Sequence, residues 1–187
     1  PDIDAAIPPA ATLYQETRAM VEQAMEVMQL HHTYVVVQTD QGFLVIHQQN
    51  AHERILYERY SKAVIGKPIV TQQSLFPATL ELSPGDAMLL QEILSELSSL
   101  GYQIESFGNN TFIVRGTPAD VTQGNEKHTI DILLVQYKHF SNEVKFSKRE
   151  KLIRSLIRQQ AIKAGTRLTE KEMRHLVTDL FACEQPN

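Results

Sequence analysis

Apolar positions in the first third of the chain change from helical spacing to short β-branched runs. Within residues 13–30 the apolar side chains recur at helical spacing, which predicts a helix. Residues 33–39 and 43–47 are rich in valine and other apolar residues, and the polar turn between them predicts a β-hairpin. A second helix is predicted over about residues 50–63, with Asn50 as its N-cap.

The middle of the chain predicts a small inserted lobe. Residues 73–82 have the pattern of an extended strand, and Ser83 caps a helix that runs to residue 100. Residues 102–107 and 111–115 are joined by glycine and asparagine, which favours a second hairpin. The buried stripe of the helix is predicted to consist of Met88, Leu89, Ile93, Leu97 and Leu100. Strand, helix, strand and strand over residues 70–118 therefore form a small α+β lobe.

The last third of the chain predicts three helices, over about residues 128–140, 147–164 and 169–183. The second and third begin at Ser147 and Thr169, each with a glutamate three residues later, which is the pattern of a capping box. Gly165 is predicted to end the second of these helices. Together with the two hairpins, these helices favour an α+β fold.

Composition narrows the class of protein and its partners. The 187 residues are 42% hydrophobic and 21% charged, as in an ordinary globular protein, and the apolar runs are far too short to span a membrane. The net charge of −4 does not favour broad, charge-driven binding to nucleic acid. Cys183 is the single cysteine, which excludes an internal disulfide framework and fits a reducing compartment such as the cytoplasm. Residues 1–12 resemble the end of a linker, and because the chain begins at Pro1 we expect it to be part of a longer protein.

The segment richest in chemically active side chains is residues 46–58. It passes from an apolar run into a helical pattern and contains the sequence His52-Glu53-Arg54-Ile55-Leu56-Tyr57-Glu58. It resembles the metal-binding motif in the C-terminal domain of MutL-type DNA mismatch repair proteins, whose pattern is Asp-Gln-His-Ala-x-x-Glu-x-x-x-x-Glu. Further segments that resemble this family follow in the family's order, at residues 77–84, 100–102, 107–112, 161–165 and 180–184.

The resemblance implies a two-lobed α+β domain. One lobe, residues 13–68 with 119–187, has a mixed sheet with helices and forms a homodimer, and the inserted lobe, residues 69–118, is regulatory. The residues themselves favour a dimer, because the first hairpin and the C-terminal helices should present an apolar face too large to leave in water. The family's ATPase lies in an N-terminal region, and this chain has no glycine-rich phosphate-binding loop.

The metal-binding motif is altered in this chain. Glu53 and Glu58 match it, but His47 stands where the family has aspartate, and Gln49 where it has histidine. Arg158 stands where a further family motif has cysteine, and a guanidinium repels a cation and cannot coordinate one. These changes favour a degenerate nuclease site without a metal cofactor, in which Glu53 is a first-turn residue that interacts with the helix dipole.

A rearranged metal site is the alternative. His47, His52, Glu53 and Glu58 are ligand types that suit zinc or manganese, and water bound to such an ion would serve a metal-dependent endonuclease that nicks DNA. His52 and Glu53 are adjacent, however, so their side chains point about 100° apart on a helix. The degenerate site is therefore favoured over the active one.

A second family pattern, Gln-x-x-Leu-x-Pro, occurs at residues 72–77, and in the family this segment docks on the replication sliding clamp. Its anchors here are Gln72, Leu75, Phe76 and Pro77, of which the glutamine fits a small polar site and the leucine and phenylalanine an apolar pocket. The alternative is an ordinary edge strand that ends at Pro77, with Leu75 and Phe76 in the core. The resemblance also implies contacts with MutS-like repair proteins and, through the full-length protein, with DNA, but not with a membrane.

Overall fold

The computed structural model contains both helices and strands, and it describes residues 26–39, 42–119, 121, 124–141 and 145–185. The described elements are β1 (Val27–Leu30), β2 (Tyr34–Thr39), β3 (Gly42–His47), α1 (Gln48–Ile65), β4 (Thr71–Glu81), α2 (Pro84–Ser99), β5 (Gln103–Gly108), β6 (Thr111–Pro118), α3 (Glu126–Ser141), α4 (Lys148–Gln160) and α5 (Glu170–Ala182). These five helices and two sheets confirm the α+β class predicted from the sequence. No helix in the same ranges is long and apolar enough to cross a membrane.

The first sheet has the strand order β1-β2-β3 and is antiparallel. Tyr34 pairs with His47, so the hairpin predicted over residues 33–47 is confirmed, although its turn residues 40 and 41 lie outside the described residues. The second sheet is antiparallel as well. Every strand pairing in the described residues is therefore antiparallel, where the resemblance implied a mixed sheet.

Strand β1 corrects part of the sequence prediction. The helix predicted over residues 13–30 is wrong at residues 27–30, which pair with β2. Residues 13–25, like the linker predicted over residues 1–12, lie outside the described residues. Helical spacing misleads here because so short a strand has only two side chains on each face, and its conformation is set by its neighbour in the sheet.

The inner face of the first sheet packs on α5. Val35 and Val37 of β2 are buried, and because side chains alternate along a strand, their neighbours face outward. The buried cluster on this side consists of Val35, Val37, Ala51, Leu168, Met173, Leu176, Val177 and Leu180. One compact unit is thus built from two distant pieces of chain, the described residues of Pro1–Leu56 and those of Ala161–Asn187.

A buried glutamine connects those two pieces of chain. The Gln48 side chain has no exposed surface, and its Nε2 donates to the carbonyl oxygens of Lys163 at 2.9 Å and Thr166 at 3.0 Å. Its Oε1 accepts from Nε2 of Gln29 at 2.6 Å, and Oε1 of Gln29 accepts from the backbone N–H of Leu168 at 3.2 Å. The two amides satisfy each other and fix the segment that leads into α5.

The loop before α5 also contains a corrected prediction. Gly165 does not end α4, which ends at Gln160. Gly165 lies in the loop with a φ of 88°, a conformation that favours glycine, and its N–H donates to the carbonyl oxygen of His32 at 2.7 Å. The loop is thus bonded to the β1–β2 turn as well as to the two glutamines.

Tyr57–Gln160 form the second compact unit. Its sheet has the order β4-β6-β5, and the strand, helix, strand and strand predicted over residues 70–118 are confirmed. Asn109 and Asn110 form the turn of the second hairpin, and their φ angles of 48° and 59° are those that a type I′ turn requires.

Helix α2 begins as predicted, and its buried face agrees with the prediction at Ile93, Leu97 and Leu100 but not at Met88 and Leu89. The Ser83 hydroxyl accepts a hydrogen bond from the backbone N–H of Asp86, and Pro84 is the first helical residue. The prediction of Met88 as a core residue is wrong, because its side chain is 75% exposed, and Leu89 is only half-buried. The buried side chains of the helix and its C-cap are Ala87, Leu90, Ile93, Leu97 and Leu100.

The capping boxes predicted for the last two helices are formed to different degrees. At α5, Thr169 and Glu172 form the complete box, and the hydrogen bonds from the Thr169 backbone and hydroxyl hold the pKa of Glu172 below its ordinary value. At α4, the Ser147 hydroxyl accepts from the backbone N–H of Glu150 at 3.2 Å, while the Glu150 carboxylate binds Arg154. Both helices nevertheless begin at the predicted caps.

The boundaries of the two compact units fall within α1, between Leu56 and Tyr57, and just after α4, between Gln160 and Ala161. The division into a dimerisation lobe of residues 13–68 with 119–187 and a regulatory lobe of residues 69–118 is a functional one. It remains a prediction.

Replacing Gln48 by leucine should lower the free energy of unfolding by about 1–3 kcal/mol, because leucine has nearly the same volume but leaves buried carbonyl and amide groups without this partner. Urea denaturation followed by circular dichroism measures the change. Gln91 is exposed on α2, so Gln91→Leu is the matched control and should change stability by less than about 0.5 kcal/mol. Equal effects of the two substitutions would contradict the role assigned to Gln48.

Candidate functional site

The altered metal-binding motif begins where β3 passes directly into α1. His47 is the last residue of β3, and its Nδ1 accepts a hydrogen bond from the backbone N–H of Asn50 at 3.3 Å. His47 is therefore the N-cap, and the prediction of Asn50 as N-cap is wrong because α1 begins earlier, at Gln48. Glu53 consequently lies beyond the first turn of α1, so its predicted first-turn role is wrong as well.

Gln49 ties the motif helix to the loop before α5. Its Oε1 accepts from the backbone N–H of Ala164 at 3.2 Å, and its Nε2 donates to Oε1 of Glu53 at 2.8 Å. The family has a histidine at this position. In this chain the same position supplies a neutral amide that acts once as acceptor and once as donor.

His52 and Glu58 also have partners of their own. Nδ1 of His52 accepts from the backbone N–H of Ile162 at 2.9 Å, which occupies the lone pair that a metal ion would need at that nitrogen. Glu58, further along α1, forms an ion pair with Lys62 at 2.7 Å.

The motif side chains of this chain form hydrogen bonds with the backbone of the loop before α5. Gln48, Gln49 and His52 together bond to four backbone groups of residues 162–166. Within the part of the chain that the structure describes, no three histidine, cysteine, aspartate or glutamate side chains are placed to hold a metal ion. Whether the motif holds a metal ion is therefore a prediction, and these backbone contacts are the observation that bears on it.

The third altered position, Arg158, is exposed near the end of α4. The buried side of that helix consists of Leu152, Ile153, Ser155, Leu156 and Ile157. Arg154, one turn before Arg158, pairs with Glu150 at 2.6 Å, and its guanidinium lies 4.3 Å from the centre of the Phe146 ring.

The second candidate site is the predicted clamp-docking segment, which bulges from an edge strand. β4 lies at one edge of the second sheet, and its pairing with β6 is interrupted between Gln73 and Ala78. Residues 74–77 therefore leave the ladder of backbone hydrogen bonds. Leu75 and Phe76 are 88% and 86% exposed, so the alternative that places them in the core is wrong. Gln72 and Pro77 are exposed as well.

The outward face of the first sheet forms a third exposed feature, and it is apolar. Its exposed large side chains are Met28, Leu30, Tyr34, Phe43 and Val45. The sequence predicted the hairpin part of this face but missed Met28 and Leu30, because residues 27–30 were predicted as the end of a helix and lack the alternation of polar and apolar residues that marks a strand. The apolar stripe of α5, also expected on this face, is buried in the core of the unit.

Comparison with known proteins agrees with this architecture. The family model described as "MutL C terminal dimerisation domain" matches residues 27–168. Curated relatives named "DNA mismatch repair protein MutL" include those of Pelodictyon phaeoclathratiforme, 35% identical over 161 residues, and Prosthecochloris aestuarii, 37% identical over 161 residues. The relative from Chloroherpeton thalassium is 36% identical over 168 residues.

These three matches cover 86%, 86% and 90% of this chain but only 26% of each relative. The chain thus spans about a quarter of the length of the curated relatives it matches. The family model covers the elements from β1 to α4, which include the altered motif, the edge bulge and the apolar sheet face. The chain belongs to the family of MutL C-terminal dimerisation domains.

Proposed function

We propose that this chain is the homodimerising and partner-docking part of a bacterial protein that acts in DNA mismatch repair in the cytoplasm, and that its nuclease metal site is degenerate. The observation that carries the proposal is the apolar outward face of the first sheet. Membership in a family of dimerisation domains supports the dimer, and the names of the curated relatives support the repair pathway.

The dimer is proposed to form through the outward face of β1, β2 and β3. An antiparallel sheet that packs one face on a core ordinarily presents polar side chains on its other face. Here Val45 and Met28 flank Val36 across the three strands, and Val45 is 54% exposed. Two copies of such a face cover each other when they are related by a two-fold axis, because the same patch then serves both partners.

Changing Val45 to lysine should convert the dimer to a monomer, because each copy would place a charge in the middle of an apolar interface. Sedimentation equilibrium measures the mass, which should fall from twice 21.2 kDa to 21.2 kDa. Val135 on α3 is 60% exposed, so Val135→Lys is the matched control and should leave the dimer intact. A dimer that persists in Val45→Lys, or a wild-type mass of 21.2 kDa, would contradict the proposed interface.

The degenerate nuclease site is proposed from the hydrogen bonds of the motif. A catalytic metal needs ligands that converge with free lone pairs and leave one position open for water. Nδ1 of His47 and Nδ1 of His52 accept backbone N–H groups, and the Gln49 amide binds the Glu53 carboxylate. His47, Gln49 and His52 thus stabilise the start of α1 and the loop before α5.

We expect no nicking of supercoiled plasmid by the full-length protein in the presence of Mn²⁺ or Zn²⁺, because the motif does not supply a convergent set of ligands. Agarose electrophoresis of the plasmid measures the conversion to the open circle. Glu53→Ala serves as the control for contaminating nuclease. Strong nicking by the wild type that disappears in Glu53→Ala would establish the alternative, a metal-dependent endonuclease with a rearranged site.

The partner-docking role is proposed for the bulge on β4. Residues 72–77 carry the family's clamp-docking pattern, and the apolar anchors Leu75 and Phe76 are exposed. Exposed apolar side chains on an irregular edge segment fit a peptide that inserts into a pocket of its partner. We propose the replication sliding clamp as that partner. The proposed contacts with MutS-like proteins and DNA, and the regulatory role of residues 69–118, rest on the family resemblance.

Changing Gln72 and Leu75 together to alanine should remove measurable binding to the sliding clamp, because one buried apolar anchor contributes about 1.5–3 kcal/mol and the contact is weak. Surface plasmon resonance with immobilised clamp measures the affinity. Gln91 and Met88 are exposed on α2, so their double alanine variant is the matched control and should bind as the wild type does. Undiminished affinity in a folded Gln72/Leu75 double variant would overturn the docking proposal.

A further inference from the structure

Two glutamines meet above a glycine at the base of the clamp-docking bulge. Gly116 of β6 pairs with Gln73 on β4 and with Gln103 on β5. Directly paired residues point to the same face of a sheet, so both glutamine side chains lie on the face where a side chain of residue 116 would lie. Nε2 of Gln73 donates to Oε1 of Gln103 at 2.7 Å, so the amides bridge the two outer strands across the middle one.

Gly116 leaves room for this bridge because it has no side chain where β4 comes close to β6. A Cβ atom at Gly116 would lie 2.6 Å from Cγ2 of Thr71 and 2.9 Å from the carbonyl oxygen of Gln72. The second of these atoms belongs to the backbone, so any side chain at residue 116 would push β4 away at Gln72. Gln72 is itself one of the proposed docking anchors.

The close contact between Gly116 and β4 and the glutamine bridge both lie directly before the point where β4 stops pairing with β6. Gln73 is the last residue paired before the bulge, and pairing resumes at Ala78. Within the bulge the Ser74 hydroxyl donates to the carbonyl oxygen of Phe76 at 2.9 Å, which holds the segment in a turn. The direction in which Leu75 and Phe76 project is therefore set by where Gln73 is held.

We propose that Gln103 and Gly116 are positioning residues for the clamp-docking segment, acting through Gln73, and this inference rests on the proposed docking function. A peptide that is held in its bound conformation loses less conformational entropy on binding than a free one. The domain should therefore bind the clamp more tightly than a synthetic peptide of residues 70–79, and removing the bridge should reduce that advantage.

The test compares Gln103→Leu with Gln103→Glu in the intact chain. Leucine cannot accept a hydrogen bond from Gln73, whereas glutamate keeps the acceptor. Gln103→Leu should weaken clamp binding about two- to ten-fold, the range of one net hydrogen bond, and Gln103→Glu should restore most of the affinity. The thermal midpoint and the dimer mass should be the same in both variants, because the bridge is exposed.

A double-mutant cycle separates positioning from a general structural role. If Gln103 acts through Gln73, Gln73→Ala and Gln103→Leu should each weaken binding, and the double variant should be no weaker than the poorer single variant. Gly116→Ala should weaken clamp binding more than Gln103→Leu does, because it displaces the backbone at Gln72. Should Gly116→Ala fail to fold, the glutamine cycle alone decides.

The outcomes for the docking proposal and for this inference can be told apart. If neither the peptide of residues 70–79 nor the wild-type chain binds the clamp, the docking function itself fails. If both bind and the Gln72/Leu75 double variant does not, docking stands. In that case, clamp affinity unchanged in Gln103→Leu, or additive effects in the cycle with Gln73→Ala, overturns the positioning role of Gln103.

Discussion

The side-chain amide of Gln48, wholly buried where β3 becomes α1, is the contact on which the first compact unit depends. It bonds to two carbonyl oxygens of the loop before α5 and to the amide of Gln29 on β1. A buried amide without partners would cost several kcal/mol, so this arrangement is stable only when strand, helix and loop are all in place. One side chain thereby joins two pieces of chain that are far apart in sequence.

The same contact links the altered motif to the proposed dimer surface. Gln29 lies between Met28 and Leu30, which point to the other face of the sheet. Fixing Gln29 therefore also fixes the two outward side chains of β1. Gln49 and His52 add hydrogen bonds to the backbone N–H groups of Ala164 and Ile162 in the loop before α5. The hydrogen bonds of the motif helix thus reach both the loop before α5 and the strand that carries part of the proposed dimer surface.

Local signals in the sequence predicted the elements whose ends are marked by capping or turn residues. Ser83 before Pro84, the Thr169 and Glu172 box, and the asparagine turn of the second hairpin each act within a few residues, so pattern alone finds them.

Contacts between distant residues could not be predicted in this way. β1 is a strand because it pairs with β2, and its four residues carry no strand signal of their own. Gln48 belongs to a residue type usually found at the surface, and nothing near it in sequence indicates its partners at Lys163 and Thr166. On α2 the apolar residues Met88 and Leu89 were predicted to be buried in place of Ala87 and Leu90, whereas the rest of the predicted stripe is buried.

The sequence indicated the candidate sites but not the contacts that their residues make. The altered positions His47, Gln49 and Arg158 follow from aligning a motif, but the use of His52 Nδ1 and Gln49 Oε1 as acceptors for backbone N–H groups requires the loop before α5. The docking pattern at residues 72–77 did not reveal whether Leu75 and Phe76 are exposed. The interrupted pairing of β4 with β6 determines that exposure.

Amide hydrogen exchange at Ile162 and Ala164, followed by NMR, tests whether the motif residues bind the loop before α5. Their N–H groups donate to His52 Nδ1 and Gln49 Oε1, so both should be protected nearly as well as the amides of β2 in the same unit. Exchange at the rate of an exposed loop amide would contradict the account, because the motif residues would then be free to serve another purpose.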